Sequence, residues 1–124
     1  MAETLSFQDK MRIIQEIVPG KQITLAHIIA NPDEILYKKL GLDPKISYEQ
    51  GGAIGIITMS PSETAIIAGD IAIKASGAEL GFVDRFSGTL ILTGTVSQVE
   101  ASLEAVVTYC QNTLQFTVCE ITRT

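Results

Sequence analysis

The chain has 124 residues, 46% of them hydrophobic and only 19% charged, with a formal net charge of −5, an isoelectric point near 4.7 and a mean hydropathy of +0.29. That length suits one domain around one modest core, with no second domain expected. The acidic balance, with no basic run and no interleaving of aromatic and basic residues, argues against a nucleic-acid partner. No apolar run approaches the ~18 residues of a membrane span, and the opening MAETLSFQDK lacks a signal peptide's basic start and apolar stretch, so no membrane partner is expected either.

Met1 to Pro19 reads as an arm. Phe7, Met11, Ile14 and Val18 recur every three to four residues and predict an amphipathic helix, yet RIIQEIV within it fits a strand equally well, and periodicity leaves both open. Pro19-Gly20 ends the arm, first by removing a donor and then by freeing the backbone to turn. Gln22 to Ile29 has strand composition. A short helix should follow, capped by Asn31, with Pro32 at its first position, Asp33 and Glu34 in the favoured first turn, and Gly41 closing it. Asp43 to Gly52, DPKISYEQGG, is a polar, glycine-ended connection.

Ala53 to Met59 is rich in isoleucine and suits a strand covered on both faces. Ser60, Pro61 and Glu63 then read as N-cap, first helical residue and capping-box partner, predicting a helix over Pro61 to Ser76. Along it Ile67, Ile71 and Lys74 mark successive turns, and Gly77 is placed for a left-handed stop. Leu80 to Asp84 and Thr89 to Thr93 predict two strands joined by the hairpin-sized loop Arg85, Phe86, Ser87 and Gly88. Thr95 and Gln98 form a second capping box, and Val99, Leu103, Val106 and Cys110 share one face of the helix that follows. Phe116 to Ile121 is the expected last strand. The order from Ala53 onward is βαββαβ, an α/β (α+β) split arrangement like the ferredoxin-like fold, with helices on one sheet face and the other face or edge in need of cover. The high apolar content fits the same expectation, that oligomerisation covers part of the surface.

Several segments together carry a resemblance: VPGKQITLAHIIANP (Val18 to Pro32), ETAIIAGDIAIKA, GFVDRFSG and the closing CEITRT. Nearly the whole chain resembles the bacterial microcompartment shell proteins, and within them the circularly permuted hexameric subclass found with propanediol, ethanolamine and choline compartments, the closing segment leaning toward the propanediol type. In ordinary members the strand and short helix near Ile23 to Leu40 come last; here something very like them comes first. Val118 to Thr124 also resembles the usual last strand, so either 22–29 or 115–122 could take that place in the sheet. The resemblance implies a homo-hexameric structural tile that joins other shell proteins around encapsulated enzymes, in a compartment of the cytoplasm, and limits the passage of metabolites. It implies no catalysis and no cofactor. It divides the chain into an arm (1–19) and one permuted shell domain (20–124), and favours the strand reading of the arm, with Ile13, Ile14, Gln15, Glu16, Ile17 and Val18 pairing with symmetry mates in a small β-barrel on the hexamer axis. An alternative from another class is an oligomeric ferredoxin-like module that senses a small molecule between subunits.

By the same resemblance Arg85, Phe86, Ser87 and Gly88 match the loop around the central pore of ordinary shell hexamers, where the family often has a glycine in place of Phe86. The other reading is an ordinary hairpin with Phe86 packed into its own subunit. Lys74 matches a lysine at the tile edge, against the alternative of a solvated helix end; the family's accompanying arginine has no counterpart at Asn31, and Arg123 is the candidate for its place. His27, the only histidine, lies in the apolar run TLAHIIA and is expected to be a hydrogen-bonded structural residue. Glu63, Asp70 and Asp84 lack the spacing of a metal site, and Cys110 and Cys119 have neither CxxC spacing nor a nearby histidine, so both are expected as reduced thiols.

Overall fold

The strand that organises the molecule is the isoleucine-rich one. In the computed structural model, which describes residues 20–43 and 51–124, β2 (Gly52–Ser60) runs between two antiparallel neighbours, β1 (Gln22–Ala30) and β4 (Thr89–Thr95). β3 (Glu79–Asp84) pairs antiparallel with β4, and the two-residue β5 (Thr122–Arg123) lies parallel to β1, giving the order β3-β4-β2-β1-β5. The register places Gly55 opposite Leu92 and Ile28, and Ile57 opposite Leu90 and Ala26, so these side chains share one sheet face. Helices α2 (Thr64–Ala75) and α3 (Val96–Asn112) cover that face. A Cβ on Gly55 would lie 2.6 Å from Val99 Cγ1 in α3, and one on Gly69 in α2 would lie 3.7 Å from Leu90. The core between them contains Ile28, Ile57, Leu90, Leu92, Val99, Leu103, Val106 and Cys110, all essentially without solvent contact.

The sequence expectations hold in the middle of this sheet and at α3. Thr95 Oγ1 accepts from the Gln98 N–H at 3.1 Å while Gln98 Oε1 accepts from the Thr95 N–H at 3.0 Å, the reciprocal capping box. Val99, Leu103, Val106 and Cys110 form the buried face as expected, and Gly41, at φ +70°, ends the short helix α1 (Glu34–Leu40).

Four local expectations are corrected. Ser60 does not cap α2, because it remains in the ladder opposite Gln22; the chain then turns through tight i→i+3 bonds from Thr64, Ala65 and Ile66 to the carbonyls of Pro61, Ser62 and Glu63, and the helix starts at Thr64 with no side-chain cap from Glu63. Gly77 is not a left-handed stop. The cap is the extended Ser76, and a Cβ on Gly77 would meet Gln98 Nε2 at 2.5 Å, so close approach of α3 is what glycine serves there. Asn31 does not cap α1, since its φ of +50° and its N–H bond to the Gly52 carbonyl end β1 instead; Asp33 is the cap, accepting from the Ile35 N–H at 3.0 Å. Phe116 to Ile121 is no strand. Gln115, at φ +63°, turns the chain off α3, and Phe116 is pinned by its N–H bond to the Cys110 carbonyl and by burial of its ring, so the tail meets β1 only around Thr117 and again from Thr122. The long strand beside β2 is therefore the 22–30 segment. The arm residues Ile13, Ile14, Gln15, Glu16, Ile17 and Val18, and most of the Asp43 to Gly52 connection, lie outside the described residues.

Candidate functional site

The β3–β4 loop has a defined shape. Asp84, at the end of β3, accepts from the Phe86 N–H through Oδ1 (2.9 Å) and from the Ser87 hydroxyl through Oδ2 (2.8 Å), while its carbonyl accepts from the Gly88 N–H (2.9 Å). These bonds hold the Asp84 carboxyl below its ordinary value, the Phe86 N–H contributing most and the Ser87 hydroxyl next. At the other end the Gly88 carbonyl accepts from the Met59 N–H at 2.9 Å, tying the loop to the end of β2. Gly88 sits at φ +77°, and a Cβ there would fall 2.2 Å from the Met59 carbonyl oxygen, so two separate constraints demand glycine.

Phe86 is not packed into the described body of the chain. Its side chain is 80% exposed, and the Arg85 guanidinium lies over its ring at 4.8 Å, a cation–π pair displayed at the loop tip. Arg85, Phe86, Ser87 and Gly88 thus form one rigid projection with an aromatic, cationic end.

Lys74 and Arg123 are not brought together. α2 packs over β3 and β4 at one margin of the sheet, whereas Arg123 is exposed in β5 at the other. Lys74 Nζ pairs with Asp70 Oδ2 at 2.9 Å, one turn earlier on the same exposed helix face, and the hydrogen bond to Asp70 raises the ammonium's pKa. The three acidic residues weighed as a metal cluster occupy different settings: Asp84 is consumed by its own turn, Asp70 pairs with Lys74, and Glu63 precedes α2. The described residues contain no group of three histidine, cysteine or acidic side chains placed to hold a metal ion.

His27 lies on the sheet face away from the helices, where Nδ1 is 2.6 Å from Thr122 Oγ1 and Nε2 is 3.0 Å from Thr124 Oγ1. Both partners come from the C-terminal tail, so the histidine fastens that tail to β1, as a structural residue would. Cys110 is a buried thiol whose pKa is pushed up by desolvation, and Cys119 is half-buried; both are free.

One surface was missed by the sequence reading. The stripe of α2 that meets the core is Thr64, Ala65, Ala68, Gly69 and Ala72, which leaves Ile66, Ile67 and Ile73 exposed. Leu80, Phe82 and Val83 of the neighbouring strand β3 are exposed too, and among the described residues β3 forms a ladder with β4 alone. The signal was present in TAIIAGDIAIKA, whose isoleucines fall outside the small-residue stripe and share the outer surface with only one charged pair, Asp70 and Lys74; apolar residues on that side call for a partner.

Comparison with known proteins agrees with this geometry. The BMC domain family model matches residues 53–122. The chain is 56% identical over 113 residues to the bacterial microcompartment shell protein PduU of Salmonella typhimurium, spanning 91% of this chain and 93% of that protein. It is 52% identical over 115 residues to the shell protein EutS of Escherichia coli K12, spanning 93% and 98% respectively. Among solved structures, a flat hexamer of CutR superposes with a TM-score of 0.78 at 49% identity, covering 91% of this chain and 99% of that one.

Proposed function

The chain belongs to the bacterial microcompartment shell proteins, a structural and non-enzymatic family, and from that premise we propose that six copies close into a cyclic tile of the shell wall. The observation that carries this reading is the exposed apolar side chains at one margin of the sheet, Ile66, Ile67 and Ile73 on α2, Leu80 and Val83 on the helix side of β3, and Phe82 on its other face. An edge strand and a helix face of that composition are a liability in a free chain and an asset in a ring, where the margin of one copy meets a different surface of the next. The flat hexamer of the related CutR supports the same arrangement.

In that tile Arg85, Phe86, Ser87 and Gly88 ring the sixfold axis and narrow it, and Ile13 to Val18 form the axial barrel, so that residues 1–19 act as an arm on a single shell domain of residues 20–124. Lys74 and Arg123, on opposite margins of each copy, serve lateral contacts between neighbouring tiles. The tiles assemble with other shell proteins around enzymes of propanediol, ethanolamine or choline breakdown and slow the escape of a reactive aldehyde. The exposed, outward-held Phe86 ring supports the pore assignment, since it has no packing task among the described residues. Nothing observed favours the ligand-sensing alternative.

The test is shell permeability. Phe86→Gly in reconstituted shells should increase aldehyde leakage several-fold with assembly unchanged; leakage equal to that of the parent would place the loop away from the pore.

A further inference from the structure

The Arg85 and Phe86 side chains at the tip of the β3–β4 loop do not hold the loop in place. Phe86 is turned to solvent, and Arg85 rests on the Phe86 ring, so neither side chain anchors the loop to the body of the protein. The anchors stand at the two ends. At one end is Gly88, bonded to Met59; at the other is Asp84, which uses both carboxylate oxygens and its carbonyl on the N–H of Phe86, the hydroxyl of Ser87 and the N–H of Gly88. Ser87 Oγ is also 3.0 Å from Thr89 Oγ1, which links the turn to the start of β4. Asp84 forms no ion pair with the adjacent Arg85; the ion pairs among the described residues are Lys38–Glu34 and Lys74–Asp70. Its carboxylate is therefore committed to the shape of the turn rather than to neutralising the tip.

We propose that Asp84 is the positioning residue of the pore rim: without lining the aperture, its carboxylate fixes the turn that aims Phe86 and Arg85, and so sets how far six aromatic side chains close the axis. This rests on the reading that the loop surrounds the sixfold axis. A charge-assisted bond to a backbone N–H, combined with a second to a side-chain hydroxyl one residue later, removes two independent ways for the tip to swing. Asparagine would reproduce both, because its amide oxygen accepts from Phe86 and its NH₂ donates to Ser87 Oγ. Alanine reproduces neither.

Three full-length variants separate the possibilities. In Asp84→Ala, hydrogen exchange at the Phe86 and Ser87 amides should accelerate about tenfold or more, and acetaldehyde efflux from reconstituted shells should shift in the same direction as in Phe86→Ala. Asp84→Asn should match the parent protein in both measurements. Phe86→Cys, treated with a short bismaleimide, reports on loop placement independently of Asp84 and should give cross-links between subunits. Cross-linking together with parental efflux in Asp84→Ala overturns the positioning role and leaves the pore placement standing. Absence of cross-linking overturns the placement and the positioning role with it. Should Asp84→Ala fail to fold, Ser87→Ala, which deletes the Oδ2 bond together with the Thr89 hydroxyl contact but keeps the Phe86 N–H on Oδ1, takes its place and should give an intermediate shift in efflux; none would overturn the proposal.

Discussion

Gly88 carries two constraints at one backbone position, a φ of +77° and a carbonyl oxygen 2.2 Å from where a Cβ would stand. Gly41, also at positive φ, has open space around it and carries only the first. The comparison isolates steric exclusion from backbone preference. Gly88→Ala is expected to cost about 1–3 kcal/mol, the range for strained backbone positions, and more than Gly41→Ala, as read from paired denaturant melts; equal costs would show that the loop yields freely at Met59. Residue-level sequence reading reached the identity of this loop but not its chemistry. A serine and a glycine after Arg-Phe suggest a turn, but that Asp84 would satisfy three loop donors depends on the angle at which β3 arrives, which composition does not encode.

At the scale of elements, local signals succeeded where nothing competed with them. Thr95 and Gln98 stand at the end of a strand whose ladder stops at the Thr95–Gly52 pair, and their capping box forms as written. Ser60 and Glu63 spell a similar signal, yet β1 claims Ser60 for the ladder and the box never closes. Tertiary pairing outweighs a cap worth about 1 kcal/mol. The two sites therefore predict opposite outcomes: Thr95→Ala should lower stability by about 0.5–2 kcal/mol, whereas Glu63→Ala should stay within about 0.5 kcal/mol of the parent. Thermal unfolding of both variants checks this, and a matching loss in Glu63→Ala would mean that a cap forms there after all. The same competition explains the last strand. The composition of Phe116 to Ile121 suits a ladder, but the buried Phe116 ring and the reversed Gln115 backbone limit the tail to a single bridge at Thr117 before it rejoins β1 from Thr122. The α/β order and the buried face of α3 were legible because hydrophobic spacing alone dictates them.

At the scale of the whole molecule, the sheet and its helices leave a set of large apolar side chains exposed. Small residues face inward along α2, so Ile66, Ile67 and Ile73 are left outside near β3, the outermost strand of the described sheet. Inward alanine and outward isoleucine invert the usual amphipathic pattern, and the inversion has a physical reason only if another copy covers the outer face. Sequence periodicity does not decide which of the alanine, glycine and isoleucine positions of α2 face inward, because apolar residues stand on all sides but that of Asp70 and Lys74, which is why this surface emerged from the fold. Ile67→Asp would place a carboxylate in that contact and should yield a folded species smaller than the parent assembly, detected by sedimentation velocity, with the far-ultraviolet circular dichroism spectrum unchanged; an undiminished assembly would place the contact elsewhere. The central claim, that these margins exist to be buried between identical copies, is tested most directly by the mass of the purified full-length protein, measured by sedimentation equilibrium over a wide concentration range. The account predicts a species of six times the 13.3 kDa chain mass; a single-chain mass that persists at the highest concentration would contradict it.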